Sequence, residues 1–177
     1  MEYLALYDEK GNQLKEKIER KKKLQLTDGK HFRIILLFIQ NEKGEFLIQK
    51  VSQQKGNVYA TTGGHVQYGA TSLETVRQEM KEELGIDIKE GYQLYEIEKC
   101  PKAFVDCYYL KKELSVENLN LQKEEVESVE WMSIDKINHL ILSGQFREKN
   151  ISPYHDLLEL ISKKQLNLLQ PLYKEVG

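Results

Sequence analysis

The chain has 177 residues, a formal net charge of −2, 40% hydrophobic residues and 31% charged residues. This length favours one domain with an appended element, and the balance of apolar and charged residues argues against disorder. The near-neutral charge argues against general nucleic-acid binding, and no apolar run approaches the roughly 18 residues that a membrane span needs.

The first residues lack a basic stretch followed by an apolar core, so we expect no secretory signal. Cys100 and Cys107 fit no zinc pattern, and two cysteines make no disulfide framework. We therefore expect reduced thiols in a cytoplasmic protein, with Cys107 as a packing residue.

The N-terminal segment, residues 1–30, is predicted to be an extension made of a strand and a helix. Residues 4–7 predict the strand, and the highly charged residues 13–23 predict the helix. The basic run from Arg20 to Lys23 is either a solvated surface or a positively charged patch that attracts a phosphorylated substrate. The extension could also serve a homodimer interface.

The next segments predict strands that lead to a glycine-rich loop. A continuous apolar run in residues 32–40, a turn, and residues 45–50 indicate a buried hairpin. Residues 59–62 predict a short strand that leads into Gly63 and Gly64. We expect a loop there, because glycine reaches all backbone conformations without steric cost.

A helix is predicted after this loop, which continues to Gly69. Thr71 and Glu74 form a capping box, which indicates a helix N-terminus, and Gly85 fits a C-terminal stop. Apolar residues recur at intervals of three and four along the helix and form one stripe: Leu73, Val76, Met80 and Leu84.

A second face of the same helix carries Glu79, Glu82 and Glu83, whose spacing places their carboxylates together. Clustered Glu on an exposed helix often has no role. Like charges this close repel one another, however, and a hard divalent cation with oxygen ligands would remove the repulsion. The neighbouring glycine loop favours the second interpretation.

The rest of the chain predicts more alternating strands and helices. Strands are expected at residues 92–98, 104–110 and 126–132, and helices at residues 133–142 and 153–163. Residues 164–177 show no pattern and are interpreted as a C-terminal tail. We expect a single domain over residues 1–177.

The loop and the helix together resemble the Nudix box, the signature of the Nudix hydrolase family. The family pattern runs Gly, five residues, Glu, seven residues, Arg-Glu, an aliphatic residue, any residue, Glu-Glu, any residue, Gly and an aliphatic residue. The matching positions here are Gly64, Glu79, Met80, Glu82, Glu83, Gly85 and Ile86. The hairpin before the box is also similar to that of the family.

Two positions depart from the family pattern, since the first family Glu is Ala70 here and the family Arg is Gln78. In the family these two side chains are thought to brace the loop against the helix. Their joint loss therefore concerns the rigidity of the loop more than metal binding. Removing both partners of an ion pair can be nearly neutral, whereas removing one partner strands a charge.

The resemblance implies a Nudix-type α/β/α sandwich with a mixed β-sheet and a catalytic loop and helix. It implies a hydrolase that cleaves a diphosphate within a small-molecule nucleoside diphosphate derivative, with Mg²⁺ or Mn²⁺ as the cofactor. It assigns metal binding to Glu79, Glu82, Glu83 and the carbonyl of Gly64. It offers Glu79 and Glu125 as competing catalytic bases, although Glu125 could equally be ordinary charge that flanks a strand.

The layout is also similar to the isopentenyl-diphosphate isomerase branch of the fold, where His31 and His65 could match. That branch needs a cysteine where this chain has Gly63, so we exclude isomerase activity. His65, which follows the paired glycines as in many relatives, is a candidate for substrate contact or for a hydrogen bond that braces the loop.

An alternative hypothesis is a protein that has the Nudix fold and binds nucleotides but does not hydrolyse them. Ala70 and Gln78 could mark a catalytically weak or inactive module that binds nucleotides as a sensor. The complete set of Glu79, Glu82 and Glu83 argues against it, because a binding module does not need all three carboxylates.

Overall fold

The computed structural model describes residues 2–21, 25–164 and 172–176. In chain order the strands are β1 (Tyr3–Tyr7), β2 (Gln13–Glu19), β3 (Phe32–Gln40), β4 (Phe46–Val51), β5 (Tyr59–Ala60), β6 (Thr62–His65), β7 (Gln93–Cys100), β8 (Ala103–Lys111), β9 (Val126–Met132) and β10 (Leu172–Glu175). The helices are α1 (Ser72–Glu79), which continues as a π-helical segment at Met80–Leu84, α2 (Ile134–Leu142) and α3 (Glu148–Ser162).

The apolar strand β3 lies inside a mixed sheet. It pairs in parallel with β8 along its whole length and antiparallel with β6. β3 meets β4 only where Gln40 is opposite Phe46, so the two strands of the predicted hairpin diverge. β4 instead pairs with β9 and β5, while β7 connects β8 to β10 at the other edge. The divergence leaves room for a cleft between β3 and β4.

Apolar side chains cover both faces of this sheet. The layer on the α1 side includes Val76, Met80 and Leu84, and each is 0% exposed. The opposite layer comes from α2 and α3 and includes Ile137, Leu140, Tyr154 and Leu157. Burial of one such side chain contributes about 1.5–3 kcal/mol, so both layers add to the stability of the sheet. The predicted α/β/α sandwich with a mixed sheet is confirmed.

The helix predicted over residues 13–23 is wrong for its described part, because Gln13–Glu19 form β2 and pair antiparallel with β1. Leu14 and Ile18 pack against a small apolar cluster at the start of β1 and β3. A spacing of four residues fits one face of a helix and also one face of a strand. Pairing with β1 decided between the two conformations, against the helix propensity of the charged residues.

The hairpin of β1 and β2 lies directly on the glycine-rich segment. The backbone N–H of Ala5 donates to the carbonyl of Val66 at 3.1 Å, and the N–H of Tyr68 donates to the carbonyl of Tyr3 at 2.9 Å. Backbone hydrogen bonds of this kind fix the position of the hairpin relative to the segment that follows β6.

Gly63 and Gly64 lie in β6 rather than in the expected loop. A Cβ added to Gly63 would come 2.9 Å from the carbonyl oxygen of Ile35, and one added to Gly64 would overlap the carboxylate of Glu79. These glycines therefore permit close approach of neighbouring groups rather than a turn. Gly69, with φ of 84°, does adopt the turn conformation that was predicted.

The predicted capping box begins α1. Thr71 Oγ1 accepts a hydrogen bond from the N–H of Glu74, and Glu74 Oε1 accepts one from the N–H of Thr71, both at 3.1 Å. The π-helical segment ends at Gly85, whose φ is 68°. Leu73 is 46% exposed, so its predicted place in the apolar stripe is wrong and the stripe begins at Val76.

The later elements follow the prediction with two differences. α3 begins at Glu148 rather than at residue 153 and contains Pro153. Part of the predicted tail forms β10, which pairs in parallel with β7, while residues 165–171 and 177 lie outside the described residues. Cys107 is 0% exposed within the core, which confirms its packing role. No helix in the described part of the chain is long and apolar enough to cross a membrane.

Candidate active site

Glu79, at the end of α1, lies directly over Gly64 of β6. The approach is close enough that a methyl group at position 64 would displace the carboxylate. The sequence placed these two residues in one loop and helix, and the structure brings them into contact.

Amide side chains hold the other two helix carboxylates. Gln49 Nε2 donates to Glu83 Oε2 at 2.8 Å and to Thr62 Oγ1 at 2.7 Å. Gln78 Nε2 donates to Glu82 Oε1 at 2.9 Å. Glu83 is only 8% exposed, so the hydrogen bond from Gln49 matters for its orientation. Gln49 was not predicted, and its one signal is a polar residue within the apolar strand β4.

Glu125, from a distant part of the chain, lines the same cleft as the carboxylates of Glu79, Glu82 and Glu83. Its backbone carbonyl accepts a hydrogen bond from the N–H of Ser52 at 3.1 Å, which anchors the segment before β9. The side chain lines the cleft beside the helix carboxylates, with Oε1 3.4 Å from Lys55 Nζ. Glu124 lines a separate depression on the surface. The side chain of Glu125, the residue that the sequence analysis named, therefore lies beside the helix carboxylates, and that of its neighbour Glu124 does not.

Burial and neighbouring charges raise the pKa values of Glu79 and Glu83. Burial, and then the charges of Glu83 and Glu82, raises the pKa of Glu79. Burial also raises the pKa of Glu83, whereas the hydrogen bond from Gln49 lowers it. Full ionisation of this cluster is therefore costly without a countercharge.

The donor set fits a hard divalent cation. Carboxylates, with a backbone carbonyl nearby, are the oxygen ligands that Mg²⁺ and Mn²⁺ prefer. Burial and then the charges of Glu83 and Glu82 raise the pKa of Glu79, and a cation among these carboxylates would offset the repulsive part of that effect. The residues present therefore fit the metal that the family resemblance implies.

A cleft of about 310 Å³ adjoins the carboxylates, between the diverging strands β3 and β4. Its apolar floor is formed by Ile34, Leu36, Val51 and Val105. Its rim carries four cationic side chains, from Arg20, Lys55, Arg147 and Lys149. Among the described residues that line it there is no Phe, Tyr or Trp. The cleft therefore suits an anionic molecule with an apolar part.

Three of the rim cations come from the two ends of the chain. Arg20 follows β2, and its Nη1 lies 3.2 Å from Glu2 Oε1. Arg147 and Lys149 lie at the start of α3. The sequence singled out Arg20 within a basic run whose later members, Lys22 and Lys23, lie outside the described residues. No sequence pattern indicated Arg147 or Lys149.

Asn150 fixes the start of α3 against the sheet. This side chain is 1% exposed, and its Oδ1 accepts a hydrogen bond from the backbone N–H of Thr61 at 3.0 Å. Because Thr61 joins β5 to β6, the bond sets the position of the neighbouring rim cations relative to the glycine strand.

His65 lies at the end of β6 and lines the cleft. Its ring contacts Phe32 edge to face, with 5.6 Å between the ring centroids. Burial, and then the charge of Arg20, lowers the pKa of His65, so the imidazole is neutral at pH 7. Its contact with substrate stays a prediction.

The N-terminal hairpin supports the loop in which the family Glu is replaced by Ala70. Gln13 Nε2 donates to the carbonyl of Ala70 at 3.3 Å, and Gln67 Nε2 donates to Glu2 Oε1 at 2.8 Å. Hydrogen bonds to N-terminal residues therefore hold this segment, and Gln78 donates its own hydrogen bond to Glu82.

Comparison with known proteins agrees with this geometry. The family profile described as the NUDIX domain matches residues 30–155. The chain is 31% identical over 144 residues to an uncharacterised Nudix hydrolase of Listeria monocytogenes, which covers 78% of this chain and 82% of that protein. The chain belongs to the Nudix family. It is thus a hydrolase that acts on pyrophosphate bonds, and its likeness to the isomerase branch stays a prediction.

Solved structures share the Nudix fold. DR0079 from Deinococcus radiodurans superposes with a TM-score of 0.68 at 23% identity, over 81% of this chain and 91% of that one. The NUDIX domain of Shewanella oneidensis NrtR, complexed with ADP-ribose, superposes with a TM-score of 0.50 at 11% identity, over 62% of this chain and 77% of that one. At these identities the likeness concerns the fold.

Proposed function

We propose that this Nudix hydrolase cleaves the diphosphate linkage of a nucleoside diphosphate derivative, with Mg²⁺ or Mn²⁺ as its cofactor. The observation that carries the proposal is the convergence on one cleft of Gly64, the carboxylates of one helix, and Glu125 from before β9. We call this the acidic cleft. It adjoins the basic-rimmed cleft described above, and the two share residues that include Arg20, Gly64 and Glu125. One substrate can therefore reach both.

The basic rim supports a substrate with several phosphate charges. Arg147 and Lys149 would bind phosphate oxygens by charge-assisted hydrogen bonds. The nucleoside would lie against the aliphatic floor, which includes Ile34 and Leu36. ADP-ribose, bound by the Shewanella oneidensis NUDIX domain, belongs to this substrate class.

Glu79, Glu82, Glu83 and the carbonyl of Gly64 are the groups that would hold the metal. When bound, Mg²⁺ or Mn²⁺ neutralises charge along the diphosphate and lowers the pKa of water. A water oxygen bonds to one phosphorus, and the bond from that phosphorus to the bridging oxygen breaks. The other phosphate group leaves with the bridging oxygen and the electron pair of that bond, and the proton of the water passes to a carboxylate. Glu79 and Glu125 are the candidates for that base, and Lys55 orients Glu125 from 3.4 Å.

The remaining predictions concern the whole protein. A single domain over residues 1–177, a homodimer and a cytoplasmic location stay predictions.

Phosphate release from a panel of nucleoside diphosphate derivatives tests the function. Each compound is incubated with the full chain in Mg²⁺, in Mn²⁺ and in chelator. We expect turnover of one compound class that chelator abolishes. Absence of turnover across the panel, with nucleotide binding still visible as a thermal shift, would contradict the proposal and favour a binding module.

A further inference from the structure

A second group of carboxylates lies between the sheet and α3. Glu96 and Glu98 are two residues apart in β7 and so share one face of the strand. Asp156 of α3 completes the group, and one carboxylate oxygen from each residue lies within 4.8 Å of the others. None of these three residues lines the catalytic cleft. We refer to Glu96, Glu98 and Asp156 as the rear cluster.

Two members of the rear cluster, Glu96 and Glu98, are buried and have carboxylate oxygens without a donor among the residues that the structure describes. Glu96 is 0% exposed, and neither of its carboxylate oxygens accepts a hydrogen bond from a described residue. Glu98 is 6% exposed, and its Oε1 is likewise without a donor in the described part of the chain. Buried polar atoms are nearly always satisfied by hydrogen bonds, water or a bound ion. An unsatisfied carboxylate aimed at two others indicates a missing positive partner.

One cationic side chain reaches the rear cluster but does not neutralise it. Lys174 of β10 lies opposite Glu98 in the strand register. Its Nζ is 3.1 Å from Asp156 Oδ2 and 2.7 Å from Ser152 Oγ. Three ionised carboxylates and one ammonium leave two negative charges, which one divalent cation would balance.

We propose that Glu96, Glu98 and Asp156 bind one hard divalent cation, of the Ca²⁺ or Mg²⁺ type, which ties α3 to β7. Calcium–oxygen distances of about 2.3–2.6 Å place oxygens on opposite sides of one ion about 5 Å apart, which is compatible with this group. All three ligands are carboxylates, which favours a hard ion over a soft one. The side chain of Asp156 is 22% exposed and provides a path for the ion.

The competing occupant is a proton. Burial, and then Asp156 and Glu98, raises the pKa of Glu96, so a proton shared among these carboxyls would also relieve their repulsion. The two hypotheses differ in one measurable respect: the folded protein binds a metal cation at this position only if the divalent cation, and not a shared proton, is the occupant.

The experiment uses the full chain with Glu79→Gln, Glu82→Gln and Glu83→Gln, so that the catalytic carboxylates do not compete for metal. After chelator treatment this parent is titrated calorimetrically with Ca²⁺, Mg²⁺ and Mn²⁺. We expect one cation per chain and a midpoint of thermal unfolding raised by roughly 5 to 10 °C at one hundred times Kd. The outcome is independent of hydrolase activity.

Two variants of that parent assign the ligands. Adding Glu96→Gln, or separately Asp156→Asn, is expected to weaken binding at least about tenfold, which corresponds to one lost ligand. The matched control is Glu90→Gln, an exposed carboxyl outside the rear cluster, which should bind as the parent does. The proposal would be overturned in favour of the shared proton by either of two results. The parent binds none of the three ions, or the variant that also carries Glu96→Gln binds as tightly as the parent.

Discussion

Two groups of three carboxylates in the described part of the chain differ in their surroundings. Glu79, Glu82 and Glu83, which we call the front cluster, line the acidic cleft that adjoins the basic-rimmed cleft. Gln49 donates a hydrogen bond to Glu83, and Gln78 donates one to Glu82. The rear cluster is closed in by α3 and receives one ammonium group.

The contrast teaches that clustered carboxylates do not by themselves define chemistry. A cluster beside a cavity and a set of cations can bring metal and substrate together. A cluster packed between a strand and a helix, as the rear cluster is, is suited to hold a proton or an ion as part of the structure. The following predictions test this difference, from the largest expected effect to the smallest.

Replacing Glu82 and Glu83 together by Gln should lower kcat/KM by roughly two to three orders of magnitude. The variant loses two of the carboxylates that would hold the metal, and with them the charge stabilisation of the transition state. The measurement is phosphate release at saturating Mg²⁺. Glu90→Gln is the control and should keep the parental rate. A double variant with unchanged turnover would remove the front cluster from the active site.

Replacing Glu125 by Gln should lower kcat by about 10²-fold if it is the general base. The matched control is Glu124→Gln, since the neighbouring side chain lines a different depression. A pH profile of kcat separates the two candidates, because loss of the base removes the acidic limb of the profile. If Glu125→Gln retains that limb, Glu79 is the base.

Replacing Glu79 by Gln should stabilise the cation-free protein at high pH. The folded pKa of Glu79 is raised, so its destabilising effect is absent below the unfolded pKa of about 4.5 and grows as pH rises toward the folded value. We expect a gain of roughly 1–3 kcal/mol in the free energy of unfolding at pH 8, disappearing by pH 4.5. Urea unfolding in chelator measures this.

Saturating Mg²⁺ supplies the control for that experiment. The cation should stabilise the parent at pH 8 more than the Glu79→Gln variant, because the variant has lost a ligand. A variant less stable than the parent at pH 8 in chelator would contradict the view that repulsion strains the front cluster.

Replacing Arg147 by Ala should raise KM by roughly tenfold with little change in kcat, because one charge-assisted contact to phosphate is lost. The control is Lys15→Ala, an exposed cation on β2 that lies away from the cleft. Steady-state kinetics at two salt concentrations measures both. An unchanged KM would show that the basic rim does not bind the substrate.

Short-range patterns in the sequence predicted the front cluster because its parts are neighbours along one helix. The capping box of Thr71 and Glu74 and the spacing from Glu79 to Glu83 are set within a few turns, where hydrogen bonding and helical period dominate. The apolar run of β3 was equally visible, since burial on both faces leaves a continuous apolar signal.

Tertiary structure alone decided which distant residues meet at each cluster. Gln49 and Glu125 reach the front cluster through the pairing of β4 with β9, and Arg147 arrives through the packing of α3. The rear cluster needs β7 and α3 side by side, which no local period specifies. Even β2 became a strand because pairing with β1 outweighed the helix propensity of its charged residues.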